Sequence, residues 1–289
     1  MIDALDHIVL VCPDIEAGIA AYRTVLGRSP DWRARSDGAA TALFRVDNTA
    51  LELMAPDGDS GAAPRLRQLT AKGAALTSLA YRTEDIEGTQ RLLGRRGLTP
   101  DEIQPGQSTD TGSGEIRHWR RFRCSDAAMA GIKTFVLQPE HVPSPVSCDQ
   151  SCVHSLDHIV INTPDPDRAA AIYGARLGLD LRLDRTAEQW KTRFLFFRLG
   201  GLTLEIINRL DQASGPESDD RIWGLTWTVK DIDGAHTRLA NAGIETSPVR
   251  AGRKPGTRVF TVKSGTLGVP TLFIAHSQDQ KTPHESLHD

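Results

Sequence analysis

The chain has 289 residues, room for two domains of about 140 residues, and its 39% hydrophobic and 25% charged composition belongs to an ordinary globular protein rather than a disordered or fibrous one. A formal net charge of −3 gives no general attraction to nucleic acid, and no apolar run approaches the roughly 20 residues that span a bilayer. Met1 leads into acidic residues and a strand instead of a basic, apolar leader, so the expectation is a cytoplasmic protein with a small-molecule substrate, no nucleic acid or membrane partner, and room for a homodimer.

His7 to Val11 is a β-branched, apolar run ended by Pro13 and reads as a strand. Asp14 suits an N-cap, and Ile15, Ile19, Tyr22 and Leu26 follow at i, i+4, i+7 and i+11, one stripe of a helix that stops at Gly27. Trp32 to Ser36, Thr41 to Val46 and Thr49 to Met54 are the next strands, the last two joined at Asp47-Asn48, which tolerates the positive φ of a tight turn. A strand over Ala75 to Arg82, a helix over Asp85 to Arg96, and strands over Glu115 to Cys124 and Ile132 to Gln138 complete the first half. The second half repeats the series, with strands over Leu181 to Asp184, Phe194 to Leu199 and Leu202 to Ile207, then Ile222 to Val229, a helix over Ile232 to Ala242, and strands over Arg258 to Lys263 and Pro270 to Ala275.

The two halves are a duplication. Leu5-Asp6-His7-Ile8-Val9 returns as Leu156-Asp157-His158-Ile159-Val160, Tyr22 as Tyr173, Leu26-Gly27 as Leu177-Gly178, and Leu51-Glu52-Leu53 as Leu204-Glu205-Ile206. A second repeat, Asp85-Ile86-Glu87-Gly88 with Asp231-Ile232-Asp233-Gly234, gives four modules in the order A, B, A′, B′. Strand alternation puts His7 on one face with Leu5 and Val9, and Glu52 on one face with Ala50 and Met54. With the leucines and isoleucines against helices, each His–Glu pair faces the hollow of its sheet.

A strand beginning L-D-H-I-V, a helix with Tyr and a terminal L-G, and a closing strand with an apolar-Glu-apolar triplet resemble the vicinal oxygen chelate superfamily. That group includes glyoxalase I, methylmalonyl-CoA epimerase, fosfomycin resistance proteins, extradiol dioxygenases and metal-free bleomycin-binding proteins. The resemblance spans nearly the whole chain, and Ala80-Tyr81-Arg82-Thr83-Glu84-Asp85-Ile86 looks like the glyoxalase-like subset. It implies an α+β fold in which four βαβββ modules form two glyoxalase-like domains, residues 1–141 and 154–276, each an open eight-stranded barrel with outer helices. Residues 142–153 would be the linker and 277–289 a flexible tail.

The family's metalloenzymes take ligands from the first and last strands of each module. His7 and Glu52 match those positions in A, as do His158 and Glu205 in A′, whereas B and B′ offer Ser78, Phe135, Gly224 and Leu272. Two arrangements follow. Modules A and A′ could meet, within the chain or across a dimer, so that His7, Glu52, His158 and Glu205 together hold one Zn²⁺, Ni²⁺, Mn²⁺ or similar ion; or each A–B cup could keep its pair without a tightly bound metal, which the ligand count favours. The resemblance then implies lyase or isomerase chemistry with Glu52 or Glu205 as ligand or proton carrier, with a metal-free binding protein as the alternative. An extradiol dioxygenase ranks third, since only His158 of its two-His, one-carboxylate triad is in place.

Other candidates are basic. Arg45 and Arg198 repeat one strand before the glutamates, and His118 and Arg120 share a face of the strand over Glu115 to Cys124, opposite Arg117, Trp119 and Arg121; these are candidates to hold a substrate anion. Trp223 and Trp227 are expected on one face of their strand. Cys148, Cys152 and His154 form a C-x3-C-x-H cluster in the linker, without the second ligand pair a zinc site needs.

Overall fold

Each module opens with a strand that runs into an aspartate capping a helix. The carboxylates of Asp14, Asp85, Asp165 and Asp231 accept from the backbone N–H three residues on, at 2.7 to 2.9 Å. Each satisfies an amide that the first helical turn leaves without a partner. The cap also explains the repeated glycine of the B modules: a Cβ at Gly88 or Gly234 would lie 2.0 or 2.2 Å from the capping carboxylate.

A computed structural model of the protein describes residues 1–145, 147–211, 215 and 218–276; the expected tail at 277–289 lies outside the described residues. The N-terminal domain contains β1 (Ile2–Val11), α1 (Ile15–Leu26), β2 (Trp32–Ser36), β3 (Ala39–Val46), β4 (Thr49–Pro56), α2 (Ala63–Thr70), β5 (Ala75–Thr83), α3 (Ile86–Arg95), β6 (Gln104–Thr109), β7 (Ile116–Cys124) and β8 (Lys133–Pro139). The C-terminal domain contains β9 (Val153–Asn162), α4 (Pro166–Ala169, continued as a π-helical stretch over Ala170–Arg176), β10 (Asp180–Ala187), β11 (Thr192–Leu199), β12 (Leu202–Arg209), β13 (Arg221–Val229), α5 (Ile232–Asn241), β14 (Arg250–Ala251), β15 (Thr257–Val262) and β16 (Thr271–His276). Helix α2 and strands β6 and β14 go beyond the elements read from the sequence.

Two eight-stranded sheets result, ordered β2-β3-β4-β1-β5-β8-β7-β6 and β10-β11-β12-β9-β13-β16-β15-β14. The fold is α+β with two glyoxalase-like domains. Module A pairs with B through β1 and β5, and A′ with B′ through β9 and β13, both antiparallel. Modules A and A′ therefore do not share a sheet. They touch where the β3–β4 turn meets β9, through Asn48 Nδ2 to Leu156 O at 2.8 Å and Leu156 N to Asn48 Oδ1 at 2.9 Å.

One continuous apolar core joins the helix-bearing faces of both sheets, including Leu5, Ile8 and Tyr22 from one half and Leu156, Ile159 and Tyr173 from the other. Tyr22 reaches across to Thr266 O, and Arg238 of α5 donates to the Thr24 and Val25 carbonyls at the end of α1. Because the outer faces pack together, the two hollows lie on the far sides of their sheets, away from the shared core. The expectation for the two tryptophans fails. Trp223 is passed over in the β13–β9 register between Ile222 and Gly224, and this bulge breaks the alternation, leaving Trp223 46% exposed and Trp227 fully buried.

Candidate active site

Strands β1 and β4 run parallel with Val9 opposite Glu52, which sets His7 and Glu52 diagonally on the hollow face. His7 Nε2 lies 3.5 Å from Glu52 Oε2, and His7 Nδ1 lies 2.7 Å from Asp6 Oδ1. Strict alternation would send Asp6 to the opposite face. However, the β1–β5 register passes from Leu5 opposite Tyr81 to His7 opposite Ala80, so Asp6 is bulged out of the ladder and turns toward the hollow with its neighbour. The second copy repeats the device: Leu156 pairs Trp227, His158 pairs Thr226, and Asp157 is skipped. The repeated aspartate inside an apolar strand was the available sequence signal for this residue.

The two carboxylates govern the imidazole. Burial opposes a charge on His7, but Glu52 and Asp6 outweigh it and hold the His7 pKa above its ordinary value. Asp6 is likewise buried, and the bond to His7 together with Arg45 and Arg117 keeps its carboxyl below the usual range. These groups open on a cavity of about 230 Å³ walled also by Arg45, Arg117 and Arg121. Arg117 lies between the rings of Trp32 and Trp119, 5.1 and 5.3 Å from their centroids, with Nη2 3.9 Å from Glu52 Oε1. Arg121 stands 5.5 Å from the Phe135 ring. Three guanidinium groups thus face two carboxylates, a surplus of positive charge suited to an anion.

The structure sorts the basic candidates. Arg45 lines the cavity, and His118 borders it. Arg120 does not: it turns to the helix side, pairing with Glu87 at the start of α3 and with Gln138. The marker is Phe122, which shares that face and is buried in the core, so Arg117, Trp119 and Arg121 form the inner face. Arg198 is exposed on β11.

In the C-terminal hollow, His158 Nε2 lies 2.8 Å from Thr226 Oγ1 and 3.3 Å from Glu205 Oε2, while His158 Nδ1 meets Asp157 Oδ1 at 2.7 Å. The chain extends outward, with Asp157 Oδ2 2.8 Å from His276 Nε2. Burial raises the Glu205 pKa, against the pull of His158 and Arg253. Phe194 and Phe196 stack at 6.2 Å, Trp190 meets Phe194 edge-on, and the Arg253 guanidinium lies 4.2 Å over Trp190.

Within one chain the four candidate ligands are not brought together, because His7 with Glu52 and His158 with Glu205 line the separate hollows of two sheets that pack through their helix-bearing faces. Among the described residues no group of three or more His, Cys, Asp or Glu side chains could hold a metal ion. Nor does either hollow alone fit a resident divalent cation. Three protein ligands are the norm, whereas each hollow has one imidazole and one carboxylate at the family's ligand positions, and the aspartate beside them is engaged by the imidazole Nδ1. In the first, Ser78 and Phe135 occupy the facing module B positions, both imidazole nitrogens face carboxylates, and a guanidinium stands beside Glu52.

The family comparison is decisive. A model described as a glyoxalase-like domain matches residues 5–146, and one described as the glyoxalase/bleomycin resistance protein/dioxygenase superfamily matches residues 157–261. The chain belongs to that superfamily. An ethylmalonyl-CoA/methylmalonyl-CoA epimerase of Cereibacter sphaeroides is 29% identical over 99 residues, 34% of this superfamily member and 73% of the relative. Among solved structures, a mutant 4-hydroxymandelate synthase from Streptomyces coelicolor superposes with a TM-score of 0.70 at 15% identity, over 95% of this chain and 93% of that one. A Mn(II)-bound glyoxalase from Novosphingobium aromaticivorans gives 0.63 at 14% identity, over 95% and 82%. At these identities the structural likenesses speak for the fold alone, since this fold carries many chemistries. No helix among the described residues is long and apolar enough to cross a membrane.

Proposed function

We propose that the N-terminal cup takes a small oxo-carboxylate and moves a proton on the carbon next to its carbonyl, chemistry of the isomerase or lyase type, with Glu52 as the proton carrier. The observation that carries this reading is the Asp6–His7–Glu52 chain opening into an arginine-walled cavity. Arg45 and Arg121 would hold the carboxylate. Glu52 removes the carbon-bound proton, and Arg117, beside Glu52, takes up the negative charge that grows on the carbonyl oxygen. His7, biased toward its protonated form, balances the charge of the Glu52 carboxylate before the step, delivers its own proton to the carbanion afterwards, and regains the one that Glu52 has removed. The epimerase among the relatives supports proton transfer of this kind. No step is assigned to a metal, since the donor set does not fit one.

A second reading has one observation in its favour. Ser78 and Phe135 bring no acid or base to the wall facing His7 and Glu52, as suits a cup that binds and sequesters its ligand without turnover. One experiment separates the two. Small oxo-carboxylates are incubated with the protein in D₂O, deuterium uptake at the α-carbon is followed by proton NMR, and binding is measured by calorimetry. Exchange that disappears in Glu52→Gln, with binding retained, is the expected result; binding without exchange in the native protein would replace catalysis by sequestration.

A further inference from the structure

The linker cysteines lie outside the cups and play no part in the reading above. Residues 149–152 form a tight turn, in which Cys152 N donates to Asp149 O at 3.0 Å and Ser151 N to Asp149 Oδ1 at 2.8 Å. The C-terminal domain holds this turn from outside, through Asp231 N to Gln150 O at 3.0 Å and Arg238 to Ser151 O. The turn brings both cysteines to one corner of the N-terminal domain, the adjacent residues Gly27 and Arg28. Arg28 Nη2 donates to Cys148 Sγ at 2.9 Å, and Cys152 Sγ donates to Gly27 O at 2.9 Å. Cys148 is exposed and Cys152 is buried. The third residue of the sequence cluster is turned elsewhere, as His154 Nε2 pairs with Asp47 Oδ2 at 3.0 Å.

An exposed sulfur beside a guanidinium, with a second sulfur fixed behind it, is the setting of a peroxide-reactive thiol and its resolving partner. We propose that Cys148 and Cys152 form a reversible disulfide, with hydrogen peroxide as the oxidant. The Cys148 thiolate attacks one peroxide oxygen; the S–O bond forms, the O–O bond breaks, and the departing hydroxide takes a proton to become water. Cys152, having released its proton, then attacks the Cys148 sulfur; the S–S bond forms, the S–O bond breaks, and a second water leaves. Two thiols are oxidised and one peroxide is reduced to two waters. Cys12 and Cys124 stand as internal controls, because burial pushes their thiols up to about 11 and about 12 and keeps both out of reach.

The test treats the full chain with one equivalent of peroxide, alkylates it after denaturation, and examines its peptides by mass spectrometry before and after reduction. The expected result is the loss of two alkylatable thiols per chain, a peptide carrying both Cys148 and Cys152 that is two hydrogens lighter, recovery of both thiols on reduction, and full alkylation of Cys12 and Cys124. Cys152→Ser should instead accumulate a sulfenic acid on Cys148 that dimedone traps. Sulfinic acid on Cys148 without a cross-link in the native chain, or a disulfide joining two chains, would overturn the proposal. So would preferential oxidation of Cys12 or Cys124.

Discussion

The two cups began as copies and differ in how they are walled. In the N-terminal sheet the edge strands meet: Trp32 Nε1 donates to Ser108 Oγ at 2.9 Å, Arg33 N to Asp110 Oδ1 at 2.8 Å, and Thr111 N to Arg33 O at 2.8 Å. The sheet thereby curls nearly into a closed barrel, and its hollow is lined with guanidinium groups. In the C-terminal sheet β14 has only two residues, β10 is exposed along nearly its whole length, and the wall is aromatic. The same His–Glu pair thus opens on a cationic cavity in a nearly closed barrel on one side and on an open, aromatic-walled hollow with Arg253 at its rim on the other. Duplication kept the pair and freed the walls to diverge.

The largest effect should come from removing one glutamate at a time. Glu52→Gln is expected to lower the rate of α-deuterium exchange by about 10²–10⁴-fold, the usual contribution of a positioned proton carrier. Glu205→Gln should leave that rate unchanged, since Glu205 lies in the other cup. Equal losses from the two variants would mean that the cups act as one site, and the contrast drawn above would fail.

Next comes the basic strand β7, whose two faces offer a matched pair of arginines. Arg117→Leu removes the cation that meets the growing oxyanion beside Glu52 and should slow α-deuterium exchange by about 10- to 100-fold, corresponding to the ~1.5–3 kcal/mol of a hydrogen bond to a charged group. Arg120→Leu, three residues along, breaks only the pairing to Glu87 and Gln138 on the helix side and should leave the exchange rate unchanged. A loss at Arg120 equal to that at Arg117 would reverse the assignment of faces.

That face assignment marks where the sequence stopped being readable. The duplication, the capped helices and the His–Glu placement were legible because each rests on local chemistry: Asp before an apolar stripe, Gly after it, and alternation along an apolar strand. On β7 both faces carry charge, and the informative residue was Phe122, whose burial orients the strand. Asp6, Asp157 and Trp223 escaped for one shared reason. A bulge changes alternation by one residue, so side chains adjacent in sequence come to share a face, and its one sequence trace was the aspartate repeated inside each apolar strand. Pairing of A with B depends on which strand edges meet, and the strength of the A to A′ likeness carries no information about that.

The cups should also lose stability in different pH windows. His7 has a folded pKa above the roughly 6.5 of an unfolded imidazole, so its contribution is fully present below about pH 6.5 and is lost as pH rises through the folded value. His7→Asn should flatten that decline in urea denaturation. Glu205 is a carboxyl whose pKa burial raises. The unfolded chain ionises it first, near pH 4.3, so the fold loses stability as pH climbs from there toward the folded value. Glu205→Gln should therefore gain stability relative to the native protein on passing from pH 4 to 7. A decline above pH 6.5 that survives His7→Asn would detach it from the N-terminal cup.

The smallest effect concerns the rims. Arg253 stacks on Trp190 at 4.2 Å, yet Trp190 remains 47% exposed, so the contact is solvated and should couple by only about 0.5–1 kcal/mol in a double-mutant cycle of Trp190→Ala with Arg253→Ala. Arg117 with Trp119 has longer ring distances, but Arg117 Nε and Trp119 Nε1 are both shut off from water. Partial desolvation strengthens a cation over a ring, so with Arg117 only 26% exposed this pair should couple more strongly, by about 1–2 kcal/mol, despite the greater separation. The order of the two coupling energies therefore tests enclosure itself: if burial distinguishes the cups, the more distant pair is the stronger one, and if the 4.2 Å pair proves stronger, ring distance rather than closure of the barrel governs both rims.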